Sequence, residues 1–108
     1  MKLKYNNLKT VVDGIKFDSK RESMHYLNLK LLERGKVITD LKLQVPFDLA
    51  PSVIINKRKK PALRYFADFT YSENGKFVVN DVKGVLTDTY IIKRHLMKHL
   101  YDIDIYET

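Results

Sequence analysis

The chain has no cysteine and no tryptophan, and only 4 glycines and 3 prolines among its 108 residues. Without cysteine it can form neither a disulfide nor a thiolate metal site, so a metal ion would need oxygen or imidazole ligands. No apolar run approaches the roughly 20 residues of a membrane-spanning helix. The residues after Met1 also lack the apolar core of a secretory signal. We therefore expect a cytoplasmic protein that does not associate with membranes.

Positive charge is what the chain has in excess. It holds 20 Lys and Arg residues against 13 Asp and Glu residues, which leaves a net charge of +7. Such a surplus attracts polyanions over long range, and binding to nucleic acid also gains from counterion release. Hydrophobic residues make up 44% and charged residues 31%, as in ordinary globular proteins, so we expect one folded domain over residues 1–108.

The first third of the chain carries signals for a hairpin and a helix. Asp13-Gly14 lies between two short apolar runs, which predicts a β-hairpin with a type I′ turn. Ser19 and Glu22 have the spacing of a capping box, and Gly35 is placed to end the helix that follows. The apolar residues of this helix extend beyond one stripe, which predicts a wide buried face: Met24, Tyr26, Leu27, Leu29, Leu31 and Leu32.

The middle of the chain predicts strands and a basic loop. Residues 41–49 alternate apolar and polar side chains like a half-buried strand, and Pro46 indicates an edge or a bulge. Residues 53–55 predict a short strand. The loop after it, residues 56–60, contains four cations: Lys57, Arg58, Lys59 and Lys60. It is either a solvated loop or an element that contacts phosphates, and the sequence leaves both open.

The last part of the chain predicts a hairpin, a helix and a strand. Residues 62–72 and 76–83 are strand-like and flank Asn74-Gly75, the strongest short hairpin signal. Thr87 can cap a helix that reaches about Leu100. The inward stripe of that helix would be Ile91, Ile92, Leu96 and Leu100. Residues 103–106 alternate like a final strand, and this order predicts parallel pairing through a right-handed crossover.

The predicted central hairpin brings two acids together. A two-residue turn sets Glu73 opposite Lys76 and, counting back along both strands, Asp68 opposite Asp81. Lys83 projects from the same face. Opposed carboxylates about 5 Å apart repel each other unless a cation neutralises them, and magnesium prefers oxygen ligands of this kind. The alternative is that both acids are solvent-facing strand residues paired with Lys83 or other bases.

Two resemblances strengthen the metal interpretation. Asp68, twelve intervening residues and then Asp81-Val82-Lys83 resemble the PD-(D/E)XK nuclease signature, with Ala67 in place of the usual proline. Residues 12–22, 43–44, 65–69 and 81–84 are also similar to a phage-encoded family long catalogued as a domain of unknown function. Members of that family look like Holliday junction resolvases. The similarity spans nearly the whole chain.

The resemblance implies an α/β fold with a restriction-endonuclease-like core, in which helices flank a mixed central sheet and a hairpin precedes it. It also implies a magnesium- or manganese-dependent endodeoxyribonuclease with Glu22, Asp68, Asp81 and Lys83 as catalytic residues, the three acids binding the metal. Lys83 would act on the attacking water or stabilise charge on the phosphorane. The alternative for Glu22 is a role only as the capping-box acid with Ser19. Gln44 is either near the site or a plain strand residue.

Other charged residues are candidates for DNA contacts. Phosphate contacts attach a protein to DNA without reading its sequence. We assign them to Lys2, Lys4, Lys9, Lys57, Arg58, Lys59, Lys60, Lys93 and Arg94. No third ligand completes a zinc site with the histidines, so His25, His95 and His99 are expected to pack or to lie on the surface.

Few side chains remain for reading bases in a chain this short. We therefore expect shape-selective cutting of branched DNA, in the host-cell cytoplasm if the chain is phage-encoded. Cutting two symmetric strands calls for a homodimer. Two alternatives stay open: a noncatalytic nucleic-acid-binding module with the nuclease fold, and a nuclease subunit of a larger DNA-processing complex.

Overall fold

The computed structural model describes residues 9–108, so the predicted contacts of Lys2 and Lys4 lie outside the described residues. The elements follow one another as β1 (Thr10–Val12), β2 (Ile15–Phe17), α1 (Lys20–Arg34), β3 (Thr39–Ala50), β4 (Val53–Ile55), β5 (Arg58–Lys60), β6 (Leu63–Glu73), β7 (Lys76–Asp81), α2 (Asp88–Tyr101) and β8 (Tyr106–Glu107). Strands β3, β6, β7 and β8 form one mixed sheet in that order. The predicted mixed α/β architecture with an N-terminal hairpin is confirmed.

The hairpin and the start of α1 form as the sequence predicts. Asp13 and Gly14 adopt φ values of 52° and 74°, the left-handed pair that a type I′ turn requires. Ser19 caps α1, because its hydroxyl accepts a hydrogen bond from the backbone N–H of Glu22 at 3.1 Å. Gly35 follows the last helical residue, as expected.

The wide buried face predicted for α1 is wrong. Of the six apolar residues assigned to it, only Tyr26 and Leu29 are buried. The other four are exposed: Met24, Leu27, Leu31 and Leu32. A straight helix presents residues three or four apart to its neighbour, so the stripe through Tyr26 and Leu29 packs while the leucines on the other side face solvent.

Strands β6 and β7 build the centre of the sheet. Asn74 and Gly75 adopt φ values of 53° and 76°, and the ladder runs from Glu73 opposite Lys76 to Phe69 opposite Asn80. This is the predicted register. Strand β8 pairs with β7 in parallel, as predicted, although it begins only at Tyr106. Strand β3 lies at the edge of the sheet, where Pro46 is tolerated.

Two hydrophobic clusters lie on opposite faces of β7, because adjacent strand residues Val78 and Val79 belong to different clusters. The first joins α1 and the hairpin to the sheet through Phe17, Tyr26, Leu29 and Phe69. The second joins α2 to the sheet. Helices therefore cover both faces.

The inward stripe predicted for α2 is wrong. Tyr90 and Met97, two turns apart, are the buried residues of this helix. Leu96 is only partly buried, and Ile91, Ile92 and Leu100 are exposed. The spacing of the aliphatic residues predicted the wrong face of α2, because its buried face is formed by Tyr90 and Met97. Neither α1 nor α2, the helices of residues 9–108, is long and apolar enough to cross a membrane.

The predicted basic loop is also corrected. Only Asn56 and Lys57 form a turn, with φ values of 51° and 65°. Arg58–Lys60 is strand β5, which pairs with β4 in a separate two-stranded ribbon. The left-handed Asn-Lys pair makes a tight hairpin possible without glycine, a weaker sequence signal than Asn-Gly.

Candidate active site

The site lies where the β6–β7 ladder ends. Asp68 and Asp81 are one step beyond the last recorded pair, Phe69 opposite Asn80. Strand β7 stops at Asp81, which leaves the backbone N–H of Val82 free to donate to Asp68 Oδ2 at 2.9 Å. The side chain of Asp68 is thus held by the backbone just beyond the end of β7.

Three carboxyl groups meet at this point. Glu22, in the first turn of α1, is hydrogen-bonded to Asp68, and Asp68 is hydrogen-bonded to Asp81. Glu22 is 7% exposed and Asp81 is 2% exposed. Ser19 caps the helix while the Glu22 side chain turns to Asp68, so Glu22 combines a place at the helix start with a place in the site.

Burial and mutual repulsion make these groups unusually basic. Burial raises the pKa of Asp81 to about 7, and the hydrogen bond and negative charge of Asp68 add to it. Burial also raises the pKa values of Asp68 and Glu22 above their ordinary range. A hydrogen bond between two carboxyl groups requires a proton on one of them. Without a cation, this close packing therefore favours a proton on at least one of the acids.

Lys83 faces the same cluster. Its ammonium nitrogen lies 3.2 Å from Asp81 Oδ2 and 3.9 Å from the centroid of the Tyr90 ring. The Tyr90 hydroxyl donates to Glu107 Oε2 at 2.5 Å, and Arg94 donates to the same oxygen at 2.9 Å. The ring under Lys83 is thus fixed by residues of α2 and β8.

Two further side chains hold the aspartates. The buried hydroxyl of Tyr65 donates to Asp81 Oδ2 at 2.7 Å. Gln44 Nε2 donates to Asp68 Oδ1 at 3.3 Å, which puts Gln44 near the site, one of the two alternatives that the sequence left open. Sequence reasoning missed Tyr65, Tyr90 and Glu107. The capping position of Thr87 located Tyr90 in the first turn of α2, but no signal linked it to Lys83.

A family comparison covers nearly the whole chain. The model of a family described as "protein of unknown function (DUF1064)" matches residues 2–106. The chain belongs to the DUF1064 family. The matched range includes all four predicted site residues of the DUF1064 chain, and its description names no activity. Comparison with curated proteins finds no match.

The donor chemistry fits a hard divalent cation. Three carboxylates with one nearby ammonium group leave negative charge uncompensated, and magnesium binds through carboxylates, water and phosphate oxygens. Within residues 9–108 no three His, Asp or Glu side chains are arranged to hold an ion. The cluster opens into a cavity of about 420 Å³, which Arg21, Gly84 and Thr87 also line.

The structure separates the predicted DNA-contacting cations of the DUF1064 chain. Lys57, Arg58, Lys59 and Lys60 are exposed on the β4–β5 ribbon, and Lys9 is exposed before β1. Lys93 is half-buried, and Arg94 is paired with Glu107 at 2.9 Å. None of these positions forms part of the carboxylate cluster.

The histidines occupy the positions expected of packing or surface residues. His25 packs against Phe69, with ring centroids 5.6 Å apart, and its Nε2 lies 2.6 Å from Asn80 Oδ1. His95 and His99 are exposed on α2.

Proposed function

We propose that the chain is a metal-dependent DNA endonuclease with a restriction-endonuclease-like core, which hydrolyses phosphodiester bonds. One observation carries the proposal: the buried Glu22 and Asp81 and the half-buried Asp68 lie together beside Lys83, at the wall of an open cavity. Placing three acids side by side with two of them buried is costly for folding. A fold that keeps the three acids beside a single lysine despite this cost therefore uses their negative charge for a function.

The carboxylates would hold magnesium or manganese. A bound ion would supply Lewis acidity toward the scissile phosphate and lower the pKa of water. Tyr65 engages one oxygen of Asp81, and Val82 and Gln44 engage both oxygens of Asp68. These contacts fix the orientation of two of the three ligands. Because all three groups have raised pKa values, metal binding would release protons and strengthen as pH rises.

Lys83 acts on the reacting phosphate. Its ammonium group is held between Asp81 and the face of Tyr90, at the edge of the cavity that a phosphate would enter. From there it can position the attacking water or offset the charge that develops on the phosphate oxygens. It donates hydrogen bonds without joining the ligand set. Its loss would therefore lower the rate and spare metal affinity.

DNA is the proposed substrate because of the +7 net charge and the four exposed cations on the β4–β5 ribbon. We propose selectivity for branched DNA, since a chain this short offers many phosphate contacts and few side chains for base edges. Cutting paired strands at a branch would require a two-fold homodimer.

The test is cleavage of an end-labelled four-way junction, a three-way junction and a linear duplex of matched length, in magnesium, manganese and EDTA. Sedimentation of the same protein measures its oligomeric state. Metal-dependent cuts placed symmetrically about the junction by a dimer support the proposal. Tight DNA binding without cuts in either metal would support the noncatalytic module, and cuts only after a partner complex is added would support a subunit of a larger machine.

A further inference from the structure

The β4–β5 ribbon extends the long hairpin formed by β3 and β6. Ala50 pairs with Leu63, and Val53 pairs with Lys60, which is three residues farther along both strands. The register is therefore unbroken across Pro51 and Pro61, where the hydrogen-bonded ladder pauses. The result is one arm that leaves the sheet and ends at the Asn56-Lys57 turn.

This ribbon is exposed along its whole length. All six residues of β4 and β5 are exposed, and Ile54 at 75% is the most exposed large hydrophobic residue of the described chain. The described residues, 9–108, measure 52 × 43 × 23 Å, an extended shape for a chain of this size. An isolated two-stranded hairpin is at best marginally stable in water. A binding partner that covers the ribbon would supply the missing contacts.

The charge of the ribbon indicates the kind of partner that it binds. Strand β4 consists of apolar residues, and β5 together with the turn carries Lys57, Arg58, Lys59 and Lys60. Each facing pair joins one apolar side chain to one cation, as in Ile54 opposite Lys59. A second copy of the ribbon would bring two sets of four cations together. A polyanion matches the cations, and the methyl groups of thymine in its groove match the apolar side chains.

We propose that the β4–β5 ribbon is a DNA arm that lies in the major groove of duplex DNA flanking the cleaved phosphate, an inference that rests on the proposed function. The major groove of B-DNA, about 12 Å wide, admits a two-stranded ribbon, whereas the minor groove is about 6 Å wide. In double-stranded RNA the major groove is deep and narrow, so the arm discriminates DNA from RNA.

The length of the arm sets where it contacts the duplex. Lys57 at the turn is 11 residues from Asp68 along the chain. At about 3.3 Å per residue this is at most roughly 36 Å. One base pair spans about 3.4 Å, so the arm reaches up to about 10 base pairs from the site. A DNA flank shorter than this does not provide the stretch of major groove that the arm would occupy.

Two charge-matched variants test the arm. One changes Lys57, Arg58, Lys59 and Lys60 to Gln; the control changes Lys16, Lys36, Lys42 and Lys76 to Gln, which are also exposed and leave the arm intact. Binding is measured by fluorescence anisotropy in EDTA, with DNA flanks of about 5 and 16 base pairs and with an RNA duplex. We expect the arm variant to bind the long DNA flank at least tenfold more weakly than the control variant. On the short flank and on RNA the two variants should differ by less than about twofold.

A third variant replaces residues 53–60 with Asn-Gly, which closes the hairpin in the existing register and should reproduce the arm variant. Equal binding by the arm and control variants on the long DNA flank would overturn the proposal. So would a shift in sedimentation of the shortened variant without a change in DNA binding, because that result would make the ribbon a contact between copies. Binding in EDTA is independent of cleavage. If the arm binds DNA but the protein never cuts it, the proposed nuclease activity is contradicted and the proposed arm is not.

Discussion

The ammonium nitrogen of Lys83 lies 3.9 Å from the centroid of the Tyr90 ring. The same nitrogen is 3.2 Å from Asp81 Oδ2, so a cation–π contact and an ion pair together fix its position. Tyr90 is fixed in turn by Glu107, which accepts hydrogen bonds from the Tyr90 hydroxyl and from Arg94. Tyr90 of α2 and Glu107 of β8 therefore orient Lys83, which follows β7 in the chain.

Replacing the Tyr90 ring should weaken cleavage. We expect Tyr90→Leu to lower the single-turnover cleavage rate about tenfold, because a cation–π contact of roughly 0.5 to 2 kcal/mol is lost. Tyr90→Phe keeps the ring and should retain at least a third of the rate. Tyr90 is buried, so melting temperatures are compared first. A Tyr90→Phe rate as low as that of Tyr90→Leu would show that the hydroxyl, not the ring, is what matters.

Lys83→Ala should separate catalysis from binding. We expect a loss of cleavage of at least a hundredfold, with junction affinity and metal affinity nearly unchanged, since the amine acts in the transition state and is not a metal ligand. Single-turnover cleavage in magnesium is measured beside a gel-shift titration in calcium. Cleavage at near the parental rate would remove Lys83 from the catalytic set.

Asp68→Asn and Asp81→Asn should each abolish cleavage and spare the fold. An amide is a poor magnesium ligand in place of a carboxylate, but its oxygen can still accept the hydrogen bonds from Val82 or Tyr65. Removing one of two close acids also relieves repulsion. The metal-free melting temperature should hold or rise in both variants. A clear fall in both would mean that the carboxylates are structural.

The stability of the metal-free protein should depend on the proton held by Asp81. Its pKa rises from an ordinary 3.8 to about 7 in the folded state, because of burial first and Asp68 second. The folded protein therefore binds more protons than the unfolded chain between these values. This contribution is full below about pH 4 and is lost as pH rises through 7.

The matched variant isolates this effect. We expect the free energy of unfolding of the parent, measured in EDTA relative to Asp81→Asn, to fall by a few kcal/mol (order of magnitude) between about pH 4 and 8. Urea unfolding of both proteins across this range gives the difference directly. A difference that stays flat, or that rises with pH, would contradict the raised pKa of Asp81.

Short-range signals made much of the site predictable. The Asn74-Gly75 turn fixes the β6–β7 register, and the register alone brings Asp68 and Asp81 together. Ser19 fixes the start of α1, which presents Glu22 from the first turn. These features depend on neighbours within a few residues in sequence, where turn and capping rules are strong.

Contacts between distant elements could not be predicted in this way. The hydrogen bond from Tyr65 to Asp81 depends on how the sheet twists, and the contact of Tyr90 with Lys83 depends on where α2 docks. Aliphatic periodicity likewise pointed to Ile91 and Ile92, whereas Met97 is buried. Tertiary packing decides such choices, and local sequence patterns do not record it.

Single-turnover incubation of an end-labelled four-way junction with excess protein, in magnesium and in EDTA, tests the central claim most directly. The parent protein should cut the junction in magnesium only, and Asp81→Asn should cut in neither condition although it binds the junction with parental affinity. Cleavage by the parent in EDTA, or magnesium-dependent cleavage by Asp81→Asn at the parental rate, would contradict the assignment of this carboxylate cluster as a metal-dependent active site.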